Sequence, residues 1–208
     1  MDEDEDVFPA PEPYQVPRDA TKIKERIRRY ERALEAERRR DGDYRDGSGK
    51  RFLLGPLYLI LGDLAGALKS FAWFEASFPD STDDAPHVLC WSLALHRAGQ
   101  EAKARRMLRR TMLANLYILP RLLGLEVRRH DIWHGCNTAE PSYLGWVPDE
   151  YCALWSDTER RWAAELWQSE EFRNARERYI ELGHALNSLP RGAERNRVVD
   201  KIRRLEAE

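Results

Sequence analysis

The sequence contains one internal repetition, with a period of 37 residues, and this repetition constrains the fold more than any other feature. The segments GDLAGALKSF and GQEAKARRML begin at Gly62 and Gly99, and Ala67 of the first matches Ala104 of the second. Glycine allows a tight turn, and alanine allows two helices to approach closely. Each copy therefore predicts a helical hairpin, in which a helix, a glycine turn and a second helix pack together.

A helical pattern also runs through the rest of the chain. In KIKERIRRYERALEAERRR the apolar residues Ile23, Ile27, Tyr30 and Leu34 recur every three or four positions, which is the spacing of one face of a helix. No segment shows the strict alternation that predicts a half-buried strand. We therefore expect an all-α fold, with a helix before the hairpins and a helical cap after them.

Composition divides the chain into four segments. Residues 1–17 combine acids with four prolines and lack periodicity, so they are expected to form a disordered or extended arm. We predict an N-terminal helix over 18–41, the repeat region over 48–130 and a helical C-terminal cap over 131–208. Five of the seven tryptophans lie within 133–167, and such an aromatic cluster is typical of a core.

The connector DGDYRDGSGKRF, residues 41–52, contains a Gly-Ser-Gly-Lys run beside several acids. Tyr44 and Arg51 stand where a phosphate-binding loop needs a glycine and a hydroxyl. A calcium loop would need a glycine where Asp46 stands. The segment is therefore predicted to end one helix at Gly42 and to supply turn and cap residues for the next.

The repeat region resembles the tetratricopeptide repeat (TPR) family over residues 50–130. Its first unit carries most of that family's pattern, namely Leu54-Gly55, Tyr58, the Gly62-Asp63 turn, Ala67, Phe71 and Pro79. The second unit carries less of the pattern, and a partial third unit starts at Leu123-Gly124. The resemblance implies a stack of helical hairpins whose first helices line a concave groove, which holds an extended peptide or a partner helix.

The resemblance also indicates which side chains would face that groove. They are apolar at one end and include arginines at the other: Phe52, Leu59, Leu89, Leu93, His96, Arg97, Arg121 and Arg128. Guanidinium groups bind carboxylates well, so the expected partner is a protein or peptide with hydrophobic anchors and an acidic feature. We therefore expect a non-catalytic adaptor or scaffold for protein–protein interaction, which needs no cofactor.

A nucleic-acid-associated protein is the first alternative. Residues 18–40 carry ten Lys or Arg against five Asp or Glu. The segment ARRMLRR adds Arg105, Arg106, Arg109 and Arg110. Such basic helices could neutralise phosphates. The charges of the first helix can also be explained without nucleic acid, as a solvated helix face on which opposite charges one turn apart form ion pairs.

A metalloprotein or an enzyme centred on residues 130–136 is the second alternative. The segment HDIWHGC holds His130, His134 and Cys136, which are the ligand types that zinc prefers. Their spacing matches no strong zinc signature, and the chain has no hydrolase, zinc-protease or dinucleotide-binding motif. No metal ligand and no catalytic residue are therefore assigned.

The cysteines and the apolar stretches indicate a cellular compartment. The three cysteines, Cys90, Cys136 and Cys152, have no paired spacing, which favours reduced thiols. The longest apolar stretches are too short and too interrupted to cross a bilayer, and the acidic start MDEDED is unlike a secretory signal. We therefore expect a cytoplasmic location and no membrane partner.

Overall fold

The computed structural model describes residues 14–79, 81 and 84–207. The α-helices of this part are α1 (Ala20–Asp41), α2 (Arg51–Ile60), α3 (Leu64–Ser77), α4 (Ala85–Arg97), α5 (Glu101–Ala114), α6 (Ile118–Leu122), α7 (Asp149–Ala153), α8 (Asp157–Gln168), α9 (Glu170–Ser188) and α10 (Ala193–Ala207). Two short 3-10 helices, Asn137–Ala139 and Pro141–Trp146, lie between α6 and α7. No strand occurs in the described residues, which confirms the all-α prediction for them.

Two helix pairs, α2–α3 and α4–α5, pack as hairpins. Their turns contain Gly62 and Gly99, which have φ angles of 75° and 70°. In each turn the glycine N–H donates to the carbonyl three residues back, and the next N–H donates to the carbonyl five residues back, at 2.9–3.0 Å. These two hydrogen bonds satisfy carbonyls in the last turn of the first helix, and they need a residue that tolerates positive φ. The two repeated sequence segments thus form the same local structure.

Small residues set the close approach of the paired helices. Ala67 and Ala104 are both 0% exposed, as the repeat pattern predicts. On α2, a Cβ added to Gly55 would overlap the ring of Phe71 on α3. The absence of a side chain at Gly55 therefore allows the aromatic ring to lie directly against the backbone of α2.

Helix α4 lies at the centre of the molecule. Every residue in 85–95 is buried. Val88 and Trp91 pack into an apolar cluster formed mainly by α1–α3, whereas Leu89 and Leu93 pack into a second cluster with α5, α6 and the C-terminal helices. Because α4 belongs to both clusters, the C-terminal region shares its core with the hairpins.

The C-terminal region covers the second hairpin. Helix α9 packs against α5 and α8, and α10 packs against α9 and α5. Trp155 is 3% exposed and belongs to the second apolar cluster, so at least this tryptophan has the core role that the sequence predicts. None of the helices in the described residues combines the length and the apolar character that are needed to cross a lipid bilayer.

The segment before α1 contacts that helix. Val16 is 8% exposed, and the carbonyl of Gln15 accepts a hydrogen bond from Arg26 Nη1 at 2.6 Å. Residues 14–17, which the sequence assigns to an extended arm, are therefore packed against α1. Residues 1–13 of the predicted arm lie outside the described residues.

The connector between α1 and α2 has the capping role that the sequence predicts. Gly42 ends α1 with a φ of 79°. The buried carboxylate of Asp46 accepts hydrogen bonds from the N–H groups of Lys50 and Arg51 at 2.9 and 2.8 Å. This carboxylate satisfies backbone donors at the start of α2, where an acid is favourable.

Candidate functional site

The apolar residues of the predicted groove lie inside the protein. Leu59, Leu89 and Leu93 are at most 2% exposed. Phe52 is partly buried, and its ring centroid lies 5.5 Å from that of Phe74. These side chains pack against the chain itself in the free protein.

Residues 143–162 cover one side of α4. The hydroxyl of Tyr143 donates to Asp84 Oδ1 at 2.6 Å, just before the start of α4. Val147 and Trp155 of this region pack into the same apolar cluster as Leu89 and Leu93. The face that the sequence assigns to a guest is therefore covered by the C-terminal region.

Arg97, at the end of α4, binds this covering region. Its Nε donates to Glu159 Oε1 at 2.7 Å, and its Nη2 donates to the carbonyl of Leu154 at 2.6 Å. Glu159 also forms a capping box with Ser156 at the start of α8. Burial opposes ionisation of Glu159, but the hydrogen bonds from Arg97 and Ser156 outweigh it and lower the pKa of this carboxyl to about 2.

His96 contacts the same helix through an aromatic side chain. Its ring stacks on Trp162 with centroids 4.1 Å apart. Glu101 binds both partners, since Oε2 lies 3.0 Å from His96 Nδ1 and Oε1 accepts the indole N–H of Trp162. His96 and Arg97 thus hold α8 against the second hairpin.

Arg121 and Arg128 have separate surroundings. Arg121 donates to the carbonyl of Leu144 and to Asp149 Oδ1, the latter at 2.6 Å. The side chain of Arg128 is 79% exposed and contacts Glu126, with Nε 3.3 Å from Oε2. The arginines of the predicted groove therefore have intramolecular partners.

The structure brings Arg121 together with two arginines that the sequence analysis did not assign to a site. A surface pocket of about 420 Å³ lies between the end of α6 and the start of α8. Arg121, Arg160 and Arg161 line it, together with residues 122–124 and Ala164. We call it the arginine pocket. Arg97 and Arg128 do not line it.

Backbone carbonyls fix Arg160 in the arginine pocket. Its guanidinium donates to the carbonyls of Leu122, Cys152 and Trp155, the last two at 2.6 and 3.1 Å. Arg161 donates to the hydroxyl of Thr158 at 3.3 Å. Within the described residues, no carboxylate is hydrogen-bonded to either arginine. Asp149, the carboxylate bound to Arg121, is itself 95% exposed.

An exposed apolar strip follows the pocket in the chain. Residues 125–130 have no regular secondary structure, and residues 124–129 are all exposed. Leu125 is 46% exposed and Val127 is 36% exposed, which is unusual for large apolar side chains in this protein. Because both side chains are exposed and only two positions apart, one partner segment can contact both.

The candidate metal ligands do not converge. His134 Nε2 lies 3.0 Å from the hydroxyl of Tyr117, and Cys136 Sγ lies 2.9 Å from Thr138 Oγ1. No group of three metal-ligating side chains occurs in the described residues. Burial lowers the pKa of His130 and of His134, so both favour the neutral form.

The basic helices carry internal partners. Arg105 forms an ion pair with Glu171, and Arg109 is 6% exposed and donates to the carbonyl of Leu205 at 2.9 Å. On α1, Glu35 binds Arg38 and Arg39 at 3.1 and 3.0 Å. These contacts reduce the open basic surface that the nucleic-acid alternative requires.

The arginine pocket could not be predicted from the sequence, because its arginines come together only in the folded chain. Arg160 and Arg161 stand in the segment TERRWAAELW, where they resemble ordinary solvated residues of an amphipathic helix. Nothing in their spacing relates them to Arg121.

Comparison of the chain with known protein families, with curated proteins and with solved structures finds no match. The packed pairs α2–α3 and α4–α5 are compatible with a helical repeat, and no family model confirms the TPR resemblance.

Proposed function

We propose that this protein is a non-catalytic adaptor that binds a segment of another protein carrying both acidic and apolar residues. The binding surface comprises the arginine pocket and the adjoining Leu125 and Val127. One observation carries the proposal: three guanidinium groups line the pocket, and Asp149 is the one carboxylate of the described residues that is hydrogen-bonded to any of them.

The charge balance favours an acidic guest. Carboxylates of a partner can bind guanidinium groups in a bidentate way, and each charge-assisted hydrogen bond contributes about 1.5–3 kcal/mol. Arg121 and Arg160 are held by backbone carbonyls before any partner arrives. Little side-chain entropy is therefore lost when a carboxylate binds them, which favours affinity.

The apolar strip supplies the second part of the recognition. Leu125 and Val127 are exposed in the free protein, and a partner that covers them gains the usual hydrophobic stabilisation of about 25 cal/mol per Å² of apolar surface. The strip begins one residue after Gly124, which lines the pocket. A single segment with an acidic part and an apolar part can therefore contact both.

Within this proposal, the hairpins α2–α3 and α4–α5 are TPR-like units that act as a scaffold for the surface. Helix α4, the first helix of the second hairpin, does not line an open groove, because residues 85–95 are buried. The free thiols of Cys90, Cys136 and Cys152 support a reducing, cytoplasmic setting for the adaptor.

Affinity isolation from the native cell extract, with partners identified by mass spectrometry, tests the proposal. We expect Arg161→Glu combined with Leu125→Ser to lose partners that the wild type retains. Arg173→Glu is the matched control, because Arg173 is also exposed and also lies in the first turns of a helix. Far-ultraviolet circular dichroism confirms folding of each variant. Partner recovery that is equal for all the proteins would contradict the proposed surface.

The salt dependence of the same isolation distinguishes the nucleic-acid alternative. Binding that depends on several phosphates falls by orders of magnitude between about 50 and 200 mM salt. Binding that includes the apolar strip should decrease much less. Loss of all partners after nuclease treatment would favour the nucleic-acid alternative over the adaptor.

A further inference from the structure

A second pocket, remote in sequence from the arginine pocket, lies between α1 and the first hairpin. Its volume is about 290 Å³, close to the lower limit for sites that bind small molecules. Leu34 and Leu54, which are 2% and 3% exposed, form its apolar floor. Tyr44, Tyr58 and Trp73 form its walls. We call it the aromatic pocket.

The aromatic rings have fixed positions. The rings of Tyr44 and Trp73 lie nearly perpendicular, at 87°, with centroids 5.2 Å apart, and the indole N–H of Trp73 donates to the Tyr44 hydroxyl at 3.3 Å. Tyr58 lies against Gly66 of α3, where a Cβ would overlap its ring. Any larger residue at this glycine would displace Tyr58 and reshape the pocket.

A carboxylate at the edge of the aromatic pocket has no cationic partner in the part of the chain that the structure describes. Glu31 accepts a hydrogen bond from the Tyr58 hydroxyl at 2.6 Å. Burial, together with this neighbouring carboxylate, raises the pKa of Tyr58, so the hydroxyl stays protonated and remains a donor. No Lys, Arg or His of the described residues forms an ion pair with Glu31. Glu35, one turn later, differs because Arg38 and Arg39 bind it.

We propose that the aromatic pocket binds a small organic cation of the alkylammonium class, with Glu31 as its counter-ion. Faces of Tyr and Trp rings attract such cations within about 6 Å, and quaternary ammonium groups are the usual ligands of pockets that combine several rings. An anion would meet Glu31 and Glu35 at the wall of α1. A neutral apolar molecule would leave the Glu31 carboxylate without a counter-ion. This inference does not depend on the proposed adaptor function, since the two pockets share no residue.

Titration calorimetry with choline as the probe tests the proposal on the full-length protein. The neutral isostere 3,3-dimethylbutan-1-ol has the same shape without the charge, and we expect it to bind about tenfold more weakly or worse. Glu31→Gln should weaken choline binding severalfold. Glu25→Gln is the matched control, because Glu25 is exposed on the same helix and does not line the aromatic pocket. The affinity of this variant for choline should equal that of the wild type.

Lys69 provides a test with the opposite sign. This lysine lines the aromatic pocket from α3, and its ammonium group repels a bound cation. We therefore expect Lys69→Met to strengthen choline binding. Equal affinity for choline and its neutral isostere would overturn the proposal, as would the absence of choline binding by both the wild type and Lys69→Met. Tighter binding of choline by Glu31→Gln would overturn it as well.

Discussion

The imidazole Nδ1 of His87 lies 2.9 Å from the carbonyl oxygen of Phe52. In a regular helix that carbonyl would accept the N–H of the residue four positions later. The residue in that position is Pro56, which has no N–H. His87 therefore donates the hydrogen bond that proline cannot, and this contact joins α2 to α4 in the interior.

This contact predicts a pH-dependent stability. Burial lowers the pKa of His87 from 6.5 to about 4, because a charged imidazole would lose its hydration among aromatic rings. The unfolded chain binds a proton to this residue below pH 6.5, whereas the folded protein does not, so stability falls as the pH decreases from 6.5 towards 4. This group should contribute a loss of about 2 kcal/mol between pH 7.5 and pH 5.

Urea unfolding at both pH values measures this loss. His87→Gln cannot titrate in this range, so it should be less stable than the wild type at pH 7.5 and should lose about 2 kcal/mol less than the wild type on acidification to pH 5. The same pH dependence in the wild type and in the variant would show that His87 is not buried in the neutral form.

The ion pair between Arg97 and Glu159 predicts a second effect on stability. Glu159→Gln removes the carboxylate that binds Arg97 and the start of α8, and we expect it to lower the free energy of unfolding at pH 7 by about 1–3 kcal/mol. Because the folded-state pKa is about 2, this contribution is present above pH 4.5 and is lost as the pH falls towards 2. Glu165→Gln is the control, since Glu165 is exposed on the same helix; a similar loss in both variants would contradict the role of the pair.

Close packing of the first hairpin predicts intolerance of larger side chains. Ala67 is 0% exposed, and Ala67→Leu should destabilise the protein by about 1–3 kcal/mol through overpacking. Ala65 lies two residues earlier on the same helix and is exposed, so Ala65→Leu should change stability by less than about 0.5 kcal/mol. Thermal unfolding curves compare the two variants, and equal melting temperatures would contradict the packing of α2 on α3.

The segment before α1 predicts a difference between two truncations. Removing residues 1–17 eliminates the buried Val16 and the hydrogen bond from Arg26 to Gln15, which should lower the free energy of unfolding by about 1–2 kcal/mol relative to a chain that lacks residues 1–13. Chemical unfolding of the two truncated proteins measures this difference. Identical stability would show that residues 14–17 do not contribute to the fold.

Local patterns in the sequence are sufficient to predict the hairpins. The Gly62 and Gly99 turns, the buried Ala67 and Ala104, and the helix that ends at Gly42 all depend on short-range geometry that recurs wherever those residues occur. Helical periodicity predicts the all-α class for the same reason. These features need no knowledge of distant contacts.

The surface residues depend on contacts that a sequence does not contain. Leu89 and Leu93 have the same pattern whether they face a guest or the protein's own C-terminal region, and only the path of residues 143–162 decides between the two. Arg121 and Arg160 are 39 positions apart, and they meet because α8 packs beside the end of α6. A hydrophobic pattern predicts burial, but it does not predict which segment provides the cover.

Site-specific photo-crosslinking at position 125 tests the adaptor surface most directly. A photoreactive amino acid replaces Leu125 beside the arginine pocket, and a second protein carries it instead at the exposed Glu194 on α10. After irradiation in the native cell, mass spectrometry identifies the crosslinked peptides. We predict that position 125 crosslinks to a protein segment with acidic and apolar residues, that Arg161→Glu suppresses this product, and that position 194 does not give it. Crosslinking at position 125 that is absent, or that is unchanged by Arg161→Glu, would contradict the proposed surface.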